Sequence, residues 1–246
     1  MEINRQNDPQ EMMQLTVAGY DMIADDWHST RLTFWSELID KIRPLISAPR
    51  SCADIENAKV NLNENTFKLL DVGCGNGRIL KELSKDTENN SGIKTENYTG
   101  VDVSKNLLEL AKKDFPNFNF LLVDTKLEDF NNMFSDSEFD QVLSIAVLHH
   151  IPPSVVHDWL MQINRVVKTG SINVFTTWNL TKSYYELVDG DAVIGFMHYK
   201  NTRYVHNYTY DEIHRIFPLA GFKVLEISDI ARDSGMSNTV VIAEKI

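Results

Sequence analysis

Short apolar runs alternate with longer amphipathic segments along the middle of the chain. The runs are rich in β-branched and aromatic residues and read, in order, FKLLDVG, YTGVDV, FNFLLVD, FDQVLSIAV and SINVFTTW. Each run has the length of a strand, and the segments between them are long enough for helices. Strands that alternate with helices form parallel sheets, because each crossover helix returns the chain to the same edge. The pattern predicts a doubly wound α/β fold with a mostly parallel sheet.

Both ends of the chain depart from this alternation. Apolar residues recur at helical spacing over 10–24 and again over 29–43, which predicts two leading helices. A further helix is predicted at about 209–220. The two runs that follow it, FKVLEISDI and NTVVIAEK, are separated by a polar loop and predict a closing antiparallel hairpin.

The chain has 246 residues, of which 43% are hydrophobic and 24% are charged. This composition is typical of a globular protein, and the length suits one domain. We expect an N-terminal helical lid over 1–48, a cofactor-binding core over 67–177, and a substrate-side insertion with the closing hairpin over 178–246. Polar stretches at 49–65 and 86–97 are interpreted as exposed loops within this domain.

Charge, cysteines and the N-terminal residues argue against several classes of protein. The first residues lack the apolar stretch of a signal peptide and no apolar run reaches membrane-spanning length, so we expect a cytoplasmic protein without a membrane partner. The only cysteines, Cys52 and Cys74, lack the paired spacing of a metal site or a disulfide framework. A net charge of −11 argues against nonspecific affinity for phosphate backbones, and no DNA partner is expected.

The strongest chemical signal is the segment DVGCGNG at 71–77, which lies between the apolar run KLL and the helical segment RILKELSK. It predicts a strand, a glycine loop and the start of a helix. Glycines there let a ligand approach the backbone, and free N–H groups at a helix start bind polar or anionic groups. The GxGxG spacing differs from the GxGxxG of dinucleotide folds. Asp71, just ahead of the first glycine, favours a cofactor with a positively charged amino-acid head.

Two more acidic residues stand at the ends of the next predicted strands. Asp102 ends YTGVDV and can accept hydrogen bonds from two ribose hydroxyls, although Asp102, like Ser104, could instead cap the following helix. Asp124 ends FNFLLVD, where it could face an adenine amino group or simply solvate a loop. Together with Asp71, these carboxylates at successive strand ends predict a single binding crevice.

Between Phe67 and Thr177, the motifs DVGCGNG, GVDVS and SIAVLHHIP resemble those of the class I methyltransferases. The resemblance implies a Rossmann-like sheet of seven strands with a reversed last hairpin. It also implies S-adenosylmethionine as the cofactor, which is released as S-adenosylhomocysteine. The cofactor-binding residues that it implies are Asp71, Gly73, Gly75 and Gly77 for the methionine part, Asp102 for the ribose, Asp124 with its neighbours for the adenine, and Ala146.

A narrower resemblance extends to both ends of the chain. YDMIADDWHSTRLTFW, SIAVLHHI, Trp178, RYVHNYTYDEI and Asn238 are similar to the methyltransferases that complete the carboxymethyluridine modification of the tRNA wobble base. In that family a carboxymethyl group on uridine becomes a methyl ester, often with a small zinc-binding activator protein as partner. The resemblance implies tRNA as the acceptor, although the region 179–200 departs from the family pattern and the acidic charge is unexpected for a tRNA enzyme.

Methyl transfer to a carboxylate needs no general base, because a carboxylate is already ionised at neutral pH. It does need a cation to hold the acceptor, and Arg31 and Arg203 are the candidates if their segments fold over the crevice as a lid. His149 and His150 could orient the acceptor or take a proton from an amine or hydroxyl. The alternative is that the histidines cap the next helix or pack under the lid.

Three functions of different classes stay open. A tRNA methyltransferase could stack a base on Trp178, Tyr204 or His206, unless these residues belong to the core. The basic residues that could contact its RNA are scattered, and they are Lys41, Arg43, Arg50 and Lys182. A methyltransferase for a small carboxylate or hydroxyl metabolite fits the acidic charge better. A cofactor-binding scaffold without catalysis is the third, and the intact glycine loop argues against it.

Overall fold

The structure is a computed structural model that describes residues 8–31, 34–46, 67–84, 93–125, 128–180, 185–231 and 237–246. The strands are β1 (Leu69–Val72), β2 (Tyr98–Asp102), β3 (Asn119–Leu122), β4 (Gln141–Ser144), β5 (Ile172–Asn179), β6 (Asp191–Phe196), β7 (Tyr199–His206), β8 (Phe222–Ala231) and β9 (Ser237–Lys245). The helices are α1 (Pro9–Thr30), α2 (Ser36–Ile46), α3 (Leu80–Leu83), α4 (Lys105–Asp114), α5 (Phe130–Met133), α6 (Val156–Val166) and α7 (Tyr210–Leu219). The predicted loop at 49–65 and the first part of that at 86–97 lie outside the described residues.

Seven of these strands form one sheet in the order β3-β2-β1-β4-β5-β9-β8. The five from β3 to β5 run parallel, and β9 runs antiparallel to both β5 and β8. The strand order reverses between β1 and β4, and such a switch point opens a crevice at the carboxyl ends of the strands. This is the class I methyltransferase fold, and the predicted sheet and its closing antiparallel pair are confirmed.

Helices cover both faces of the sheet, because side chains alternate sides along each strand. On one face α2, α3 and α4 pack around Leu69, Leu143 and Val174. On the other face α5, α6 and α7 pack around Leu70 and Phe175. None of the helices in the described residues has the length and apolar character that a bilayer crossing demands.

The leading helices differ from their predicted bounds. Helix α1 begins after Asp8, whose carboxylate accepts a hydrogen bond from the Gln10 N–H, with Pro9 in its first turn. It continues to Thr30 and ends where Arg31 leaves helical geometry, with φ −122° and ψ 50°. Helix α2 then begins at Ser36. The prediction of a second helix over 29–43, with Arg31 inside it, was therefore wrong at its start.

A second sheet of two strands, β6 and β7, was not predicted and lies within the region interpreted as a substrate-side insertion. Its small core joins Ala192, Ile194 and Val205 to the end of β5. The Tyr204 hydroxyl donates a hydrogen bond to Asp191 at 2.6 Å, which ties the two strands together. The sequence hid this hairpin because its strands mix polar and apolar residues and are joined by Met197 and His198 without a glycine-rich turn.

Helix α1 lies directly against β7, and Gly19 is what permits the close approach. A Cβ atom at this position would stand 1.9 Å from the carbonyl oxygen of Thr202. The hydroxyl of Thr16, one turn earlier, accepts a hydrogen bond from the Tyr204 N–H at 3.0 Å. Any side chain at residue 19 must therefore push the helix away from the strand.

We expect Gly19→Ala to lower the melting temperature, although alanine is favoured over glycine in a helix by about 1 kcal/mol. The added methyl group clashes with β7 and this clash should outweigh the helix propensity. Thermal unfolding of the variant is compared with that of Gln14→Ala, which changes an exposed position of the same helix. A melting temperature that rises in Gly19→Ala would show that α1 does not pack on β7 as described.

Candidate cofactor and acceptor site

The glycine loop after β1 holds a left-handed backbone at three positions. Gly73, Gly75 and Gly77 have φ values of 78°, 56° and 71°, which residues with side chains adopt at a cost. The N–H groups of Gly73 and Cys74 donate to the Val101 carbonyl oxygen at 2.8 and 3.0 Å. These bonds fix the glycine loop, which the motif DVGCGNG predicted, against the end of β2.

Asp102 closes the other side of this loop. One carboxylate oxygen accepts from the Gly75 N–H at 2.7 Å and the other accepts from the Ser104 N–H at 2.8 Å. Burial raises the pKa of Asp102 to about 6, although the backbone hydrogen bonds oppose that shift. The Asp102 carboxylate therefore holds the loop in place, and it also lines the crevice.

Asp71 is a second buried carboxylate at the same strand ends. The hydroxyl of Tyr98 donates a hydrogen bond to it at 2.7 Å. Burial is the main cause that raises the pKa of Asp71 to about 7; the Tyr98 hydrogen bond opposes the shift and the nearby Asp102 adds to it. A buried acid with a raised pKa gains most from a cationic partner, because the cation stabilises its ionised form.

These residues border a cavity at the carboxyl ends of the parallel strands, where the empty space, its open mouth included, is about 1050 Å³. Its sheet side is formed by the ends of four neighbouring strands and their loops: Asp71 to Asn76, Val101 to Val103, Val123 and Thr125, and Ile145 to Val147. Its opposite side is formed by α1 through Met13, Thr16, Val17, Tyr20 and Trp27. The largely apolar lining with a few buried polar side chains is typical of a small-molecule site.

Helix α1 is hydrogen-bonded to several walls of this cavity. Each contact joins a polar side chain of α1 to a loop at a different strand end. The pairs are Gln10 Nε2 with Thr125 Oγ1 at 2.9 Å, Ser104 Oγ with Asp21 Oδ1 at 2.6 Å, and Asn76 Nδ2 with His28 Nδ1 at 3.0 Å. Helix α1, which lies within the predicted N-terminal lid, thus covers the crevice opposite the strand ends.

Comparison with known proteins agrees with this geometry. Residues 69–170 match a family model described as a methyltransferase domain. The chain is 26% identical over 187 residues to a ubiquinone biosynthesis O-methyltransferase of Rickettsia typhi, covering 72% of this chain and 68% of the relative. A crystal structure of an S-adenosylmethionine-dependent methyltransferase from Clostridium acetobutylicum superposes with a TM-score of 0.62 at 12% identity, over 92% of this chain and 98% of that one.

The magnesium protoporphyrin IX methyltransferase of Synechocystis, solved with bound S-adenosylmethionine, has a TM-score of 0.60 at 12% identity and covers 99% of this chain and 100% of its own. Residues 69–170 are thus similar to a methyltransferase domain, and the chain has the class I methyltransferase fold. The cavity of this domain fits the cofactor, because the buried carboxylate of Asp71 can pair with the methionine ammonium. Asp102 also lines the cavity, and the ammonium role of Asp71 and the ribose role of Asp102 both stay predictions.

The other predicted cofactor residues differ in their placement. Ala146 lines the cavity with a left-handed φ of 61°, and its N–H donates to the Thr176 hydroxyl at 2.7 Å. Asp124 is not among the lining residues, and its carboxylate accepts from the Glu128 N–H at 3.0 Å. Its neighbours Val123 and Thr125 do line the cavity, so the adenine assignment of Asp124 stays a prediction.

The two histidines after β4 point in different directions. His149 is fully buried. Its Nδ1 accepts from the backbone N–H of Trp178 at 3.2 Å, and its ring stacks on the Trp178 ring with 4.3 Å between the centroids. His150 lines the cavity, and its Nδ1 lies 2.7 Å from the Tyr204 carbonyl oxygen. That ring nitrogen must therefore carry the proton, and Nε2 accepts from the Tyr20 hydroxyl at 2.9 Å. Burial, the largest cause, lowers the pKa of His150 to about 3.

The two predicted arginines lie side by side among aromatic rings. Arg203 is 2% exposed, and its guanidinium carbon lies 5.4 to 5.7 Å from the centres of four rings: Tyr20, Trp27, Phe196 and Trp178. Its Nη2 donates to the Gly195 carbonyl at 2.7 Å, while Nε and Nη1 are buried without a partner among the described residues.

Arg31 shares two of those rings, at 4.8 Å from Trp27 and 5.5 Å from Phe196. Burial and the charge of Arg203 lower the pKa of Arg31. Neither arginine forms an ion pair with any residue in the part of the chain that the structure describes. The fold therefore brings together two cations that lie far apart in the sequence. They stand next to Tyr20 and Trp27, whose rings line the cavity, while neither arginine is itself among the lining residues.

Tyr20, Asn76 and Arg78 are among the lining residues that sequence reasoning missed. Tyr20 was interpreted only as part of the apolar stripe of α1, and Asn76 and Arg78 were overlooked within and after the glycine motif. The helical spacing of Tyr20 predicts a buried face but does not tell which buried side chain reaches a cavity. The position of Arg78 directly after Gly77 was the only available signal for that residue.

Binding of S-adenosylhomocysteine should weaken as the pH falls below 7. The pKa of Asp71 is raised to about 7 before the ligand binds, and a bound ammonium favours the ionised form, so binding releases a proton. The affinity should then fall by up to about tenfold per pH unit below that pKa and level off above it. Calorimetric titrations between about pH 5.5 and 8.5 would measure this dependence.

The matched control is Asp71→Asn, which keeps the shape of the side chain and removes its titration. This variant should bind S-adenosylhomocysteine weakly, without the step in affinity near neutral pH. A wild-type affinity that stays constant over the whole range would remove Asp71 from the ammonium site. An unchanged step in the asparagine variant would assign the titration to another group.

Proposed function

We propose that this chain transfers the methyl group of S-adenosylmethionine to an oxygen atom of a small acceptor that bears a carboxylate. The observation that carries the proposal is the pair of cations Arg31 and Arg203, which have no carboxylate partner among the described residues. A buried guanidinium without a counter-ion is costly, and a planar carboxylate can satisfy it with two parallel hydrogen bonds. The acceptor would supply the missing negative charge.

The state of His150 favours a carboxylate acceptor over a hydroxyl. A hydroxyl loses its proton during methyl transfer, and the group that takes it must be basic enough. Both ring nitrogens of His150 are already hydrogen-bonded, and its pKa of about 3 leaves it a weak base. A hydroxyl acceptor would have to lose its proton to another group.

For a carboxylate the reaction needs no proton transfer. A carboxylate oxygen forms a bond to the methyl carbon as the bond from that carbon to sulfur breaks, and the electron pair of the broken bond stays on sulfur. The sulfonium becomes a neutral thioether and the carboxylate becomes a neutral methyl ester. Because opposite charges disappear together, a dry pocket that holds oxygen, carbon and sulfur in line should accelerate the step.

The relatives and the enclosure of the cavity support a small acceptor. The Rickettsia relative is named for ubiquinone biosynthesis and for transfer to oxygen. Helix α1 covers the cavity, and the residues that could have stacked on an unpaired base are buried. Trp178 is 9% exposed, Tyr204 is fully buried and His206 is 3% exposed. The alternative interpretation of these residues as core is therefore the better one.

A tRNA acceptor stays the second candidate, because the carboxymethyl group of wobble uridine is itself a carboxylate that the same arginines could hold. The basic surface that would support it is sparse. Lys41 forms an ion pair with Glu226 and Arg43 donates to the Glu82 carbonyl, while Arg50 and Lys182 lie outside the described residues. Both tRNA and the small zinc-binding activator protein remain predictions from the resemblance.

The decisive experiment offers labelled S-adenosylmethionine with three sets of acceptors. The first is a panel of small aliphatic and aromatic carboxylates, and the second contains the matching alcohols and amides. The third is total tRNA that carries carboxymethyluridine, with and without a candidate activator. Base-labile label on a small carboxylate supports the proposal, and label on an alcohol, which is stable to base, overturns the preference for a carboxylate. Base-labile label on tRNA alone would establish the second candidate.

We expect Arg31→Ala to lower kcat/KM for the acceptor by about 10- to 100-fold, the usual loss when a hydrogen bond to a charged group is removed. The affinity for S-adenosylhomocysteine should stay within about twofold of wild type, because the lost contact is to the acceptor. The control is Arg215→Ala, which removes the same charge from an exposed position on α7. Turnover that persists in Arg31→Ala would rule out Arg31 as a group that holds the acceptor.

A further inference from the structure

The hydroxyl of Tyr20 is a polar group at the cavity to which the proposed function assigns no role. The Tyr20 side chain lines the cavity from α1. The proton of its hydroxyl is already used, because it is donated to Nε2 of His150 at 2.9 Å. The other ring nitrogen of His150 donates to the Tyr204 carbonyl oxygen at 2.7 Å, which leaves Nε2 as the acceptor. The Tyr20 oxygen can therefore take part in a further hydrogen bond only as an acceptor.

Several contacts hold the Tyr20 hydroxyl in this orientation. Burial lowers the pKa of His150 to about 3, so the ring stays neutral and Nε2 stays an acceptor at neutral pH. The Tyr204 backbone is fixed in turn, because its N–H donates to the hydroxyl of Thr16, one turn before Tyr20 on α1. The Tyr20 ring packs edge-on against the rings of His150 and Trp27, at 5.4 and 5.3 Å between centroids. The oxygen end of the O–H dipole therefore faces away from the histidine.

Tyr20 stands between the two charged sides of the site. The buried acids Asp71 and Asp102 line the cavity on its sheet side, whereas Tyr20 lines it from α1. The guanidinium carbon of Arg203 lies 5.4 Å from the centre of the Tyr20 ring. A cationic donor beside the acids and an anionic acceptor beside the arginines, an arrangement that rests on the proposed function, would exchange the methyl group next to the Tyr20 oxygen.

We propose that the Tyr20 oxygen binds the methyl group on the sulfonium of S-adenosylmethionine, and that His150 is the residue that positions it. The hydrogens of that methyl group share the positive charge of the sulfonium, so an oxygen lone pair attracts them as it attracts other polarised C–H groups. A low dielectric strengthens this attraction. S-adenosylhomocysteine has neither the methyl group nor the charge. Tyr20 would therefore favour the methyl donor over the product, and it would help to orient the methyl group for transfer.

The same hydrogen bond argues against a role for Tyr20 in holding the acceptor. To bind a carboxylate, the Tyr20 hydroxyl would have to donate its proton to that carboxylate instead of to His150. Nε2 of His150 belongs to a buried side chain and would then lose its donor, which is costly. The geometry therefore favours a ligand group with positive charge at the Tyr20 oxygen.

Three ligands that differ at the sulfur position separate this role from a general loss of structure. S-adenosylmethionine carries the sulfonium methyl group, S-adenosylhomocysteine a neutral thioether, and sinefungin an ammonium, which is a stronger hydrogen-bond donor. In Tyr20→Phe we expect the affinity to fall by about 10- to 100-fold for sinefungin and by about 3- to 10-fold for S-adenosylmethionine. The affinity for S-adenosylhomocysteine should stay within about twofold of wild type. Calorimetric titrations of the full chain would measure all three affinities.

Two variants of His150 test its positioning role. The amide in His150→Gln offers one donor for the Tyr204 carbonyl and one acceptor for the Tyr20 hydroxyl, so this variant should keep the wild-type preference among the three ligands. His150→Leu removes the acceptor and should lose affinity in the same order as Tyr20→Phe. The matched control is Tyr210→Phe, which removes a hydroxyl from a residue that is 41% exposed at the start of α7.

Equal losses for all three ligands in Tyr20→Phe would show that the hydroxyl is only structural, and this result would overturn the proposal. Unchanged binding of sinefungin in Tyr20→Phe would overturn it as well. Losses in His150→Gln that match those of His150→Leu would remove the positioning role of the histidine. Because the titrations contain no acceptor, they test Tyr20 separately from the acceptor assays, and failure of one set of experiments is distinguishable from failure of the other.

Discussion

The placement of α1 across the carboxyl ends of the central strands depends on its close contact with β7 at Gly19. Without a side chain at that position the helix can sit against the Thr202 backbone, and its polar residues then reach three separate strand-end loops. Each of these contacts is local and modest, but together they set where the rings of Tyr20 and Trp27 stand. Those rings border the cavity on one side and the guanidinium of Arg203 on the other. The site is therefore assembled by the packing of one helix rather than by the sheet alone.

Charge is divided between the two sides of this site. The buried acids Asp71 and Asp102 belong to the sheet, and their raised pKa values reflect carboxylates that water no longer solvates. The cations Arg31 and Arg203 lie on the side of α1 and β7, where aromatic faces partly replace the lost water. A cationic methyl donor on the acidic side and an anionic acceptor on the basic side would complement this arrangement. Binding of the two reactants would thereby relieve the electrostatic cost of burying both sets of charges.

Between these two sides, the uncharged side chains of Tyr20 and His150 are joined by a hydrogen bond. The Tyr204 carbonyl fixes the proton on one nitrogen of His150, so the Tyr20 hydroxyl must donate to the other. The phenol oxygen then turns its lone pairs away from the histidine. This chain of hydrogen bonds holds the ring of Tyr20 in one orientation and leaves no unused nitrogen on the histidine. It explains why a histidine at a strand end, often a sign of acid–base catalysis, supports a positioning role in this chain.

The sequence alone determined the sheet, its closing hairpin and the glycine loop with Asp71 and Asp102, because strand periodicity and the backbone needs of a tight turn are local properties. It also named Arg31 and Arg203 as candidate cations, but nothing in the spacing showed that they would meet. Only the tertiary structure showed that the two arginines lie together and that β6 and β7 form a hairpin. It also showed that His149 stacks on Trp178 and that the Asp124 carboxylate accepts a hydrogen bond from the Glu128 N–H. These outcomes depend on contacts between residues distant in the chain, and such contacts follow from how whole elements pack, which no local pattern encodes.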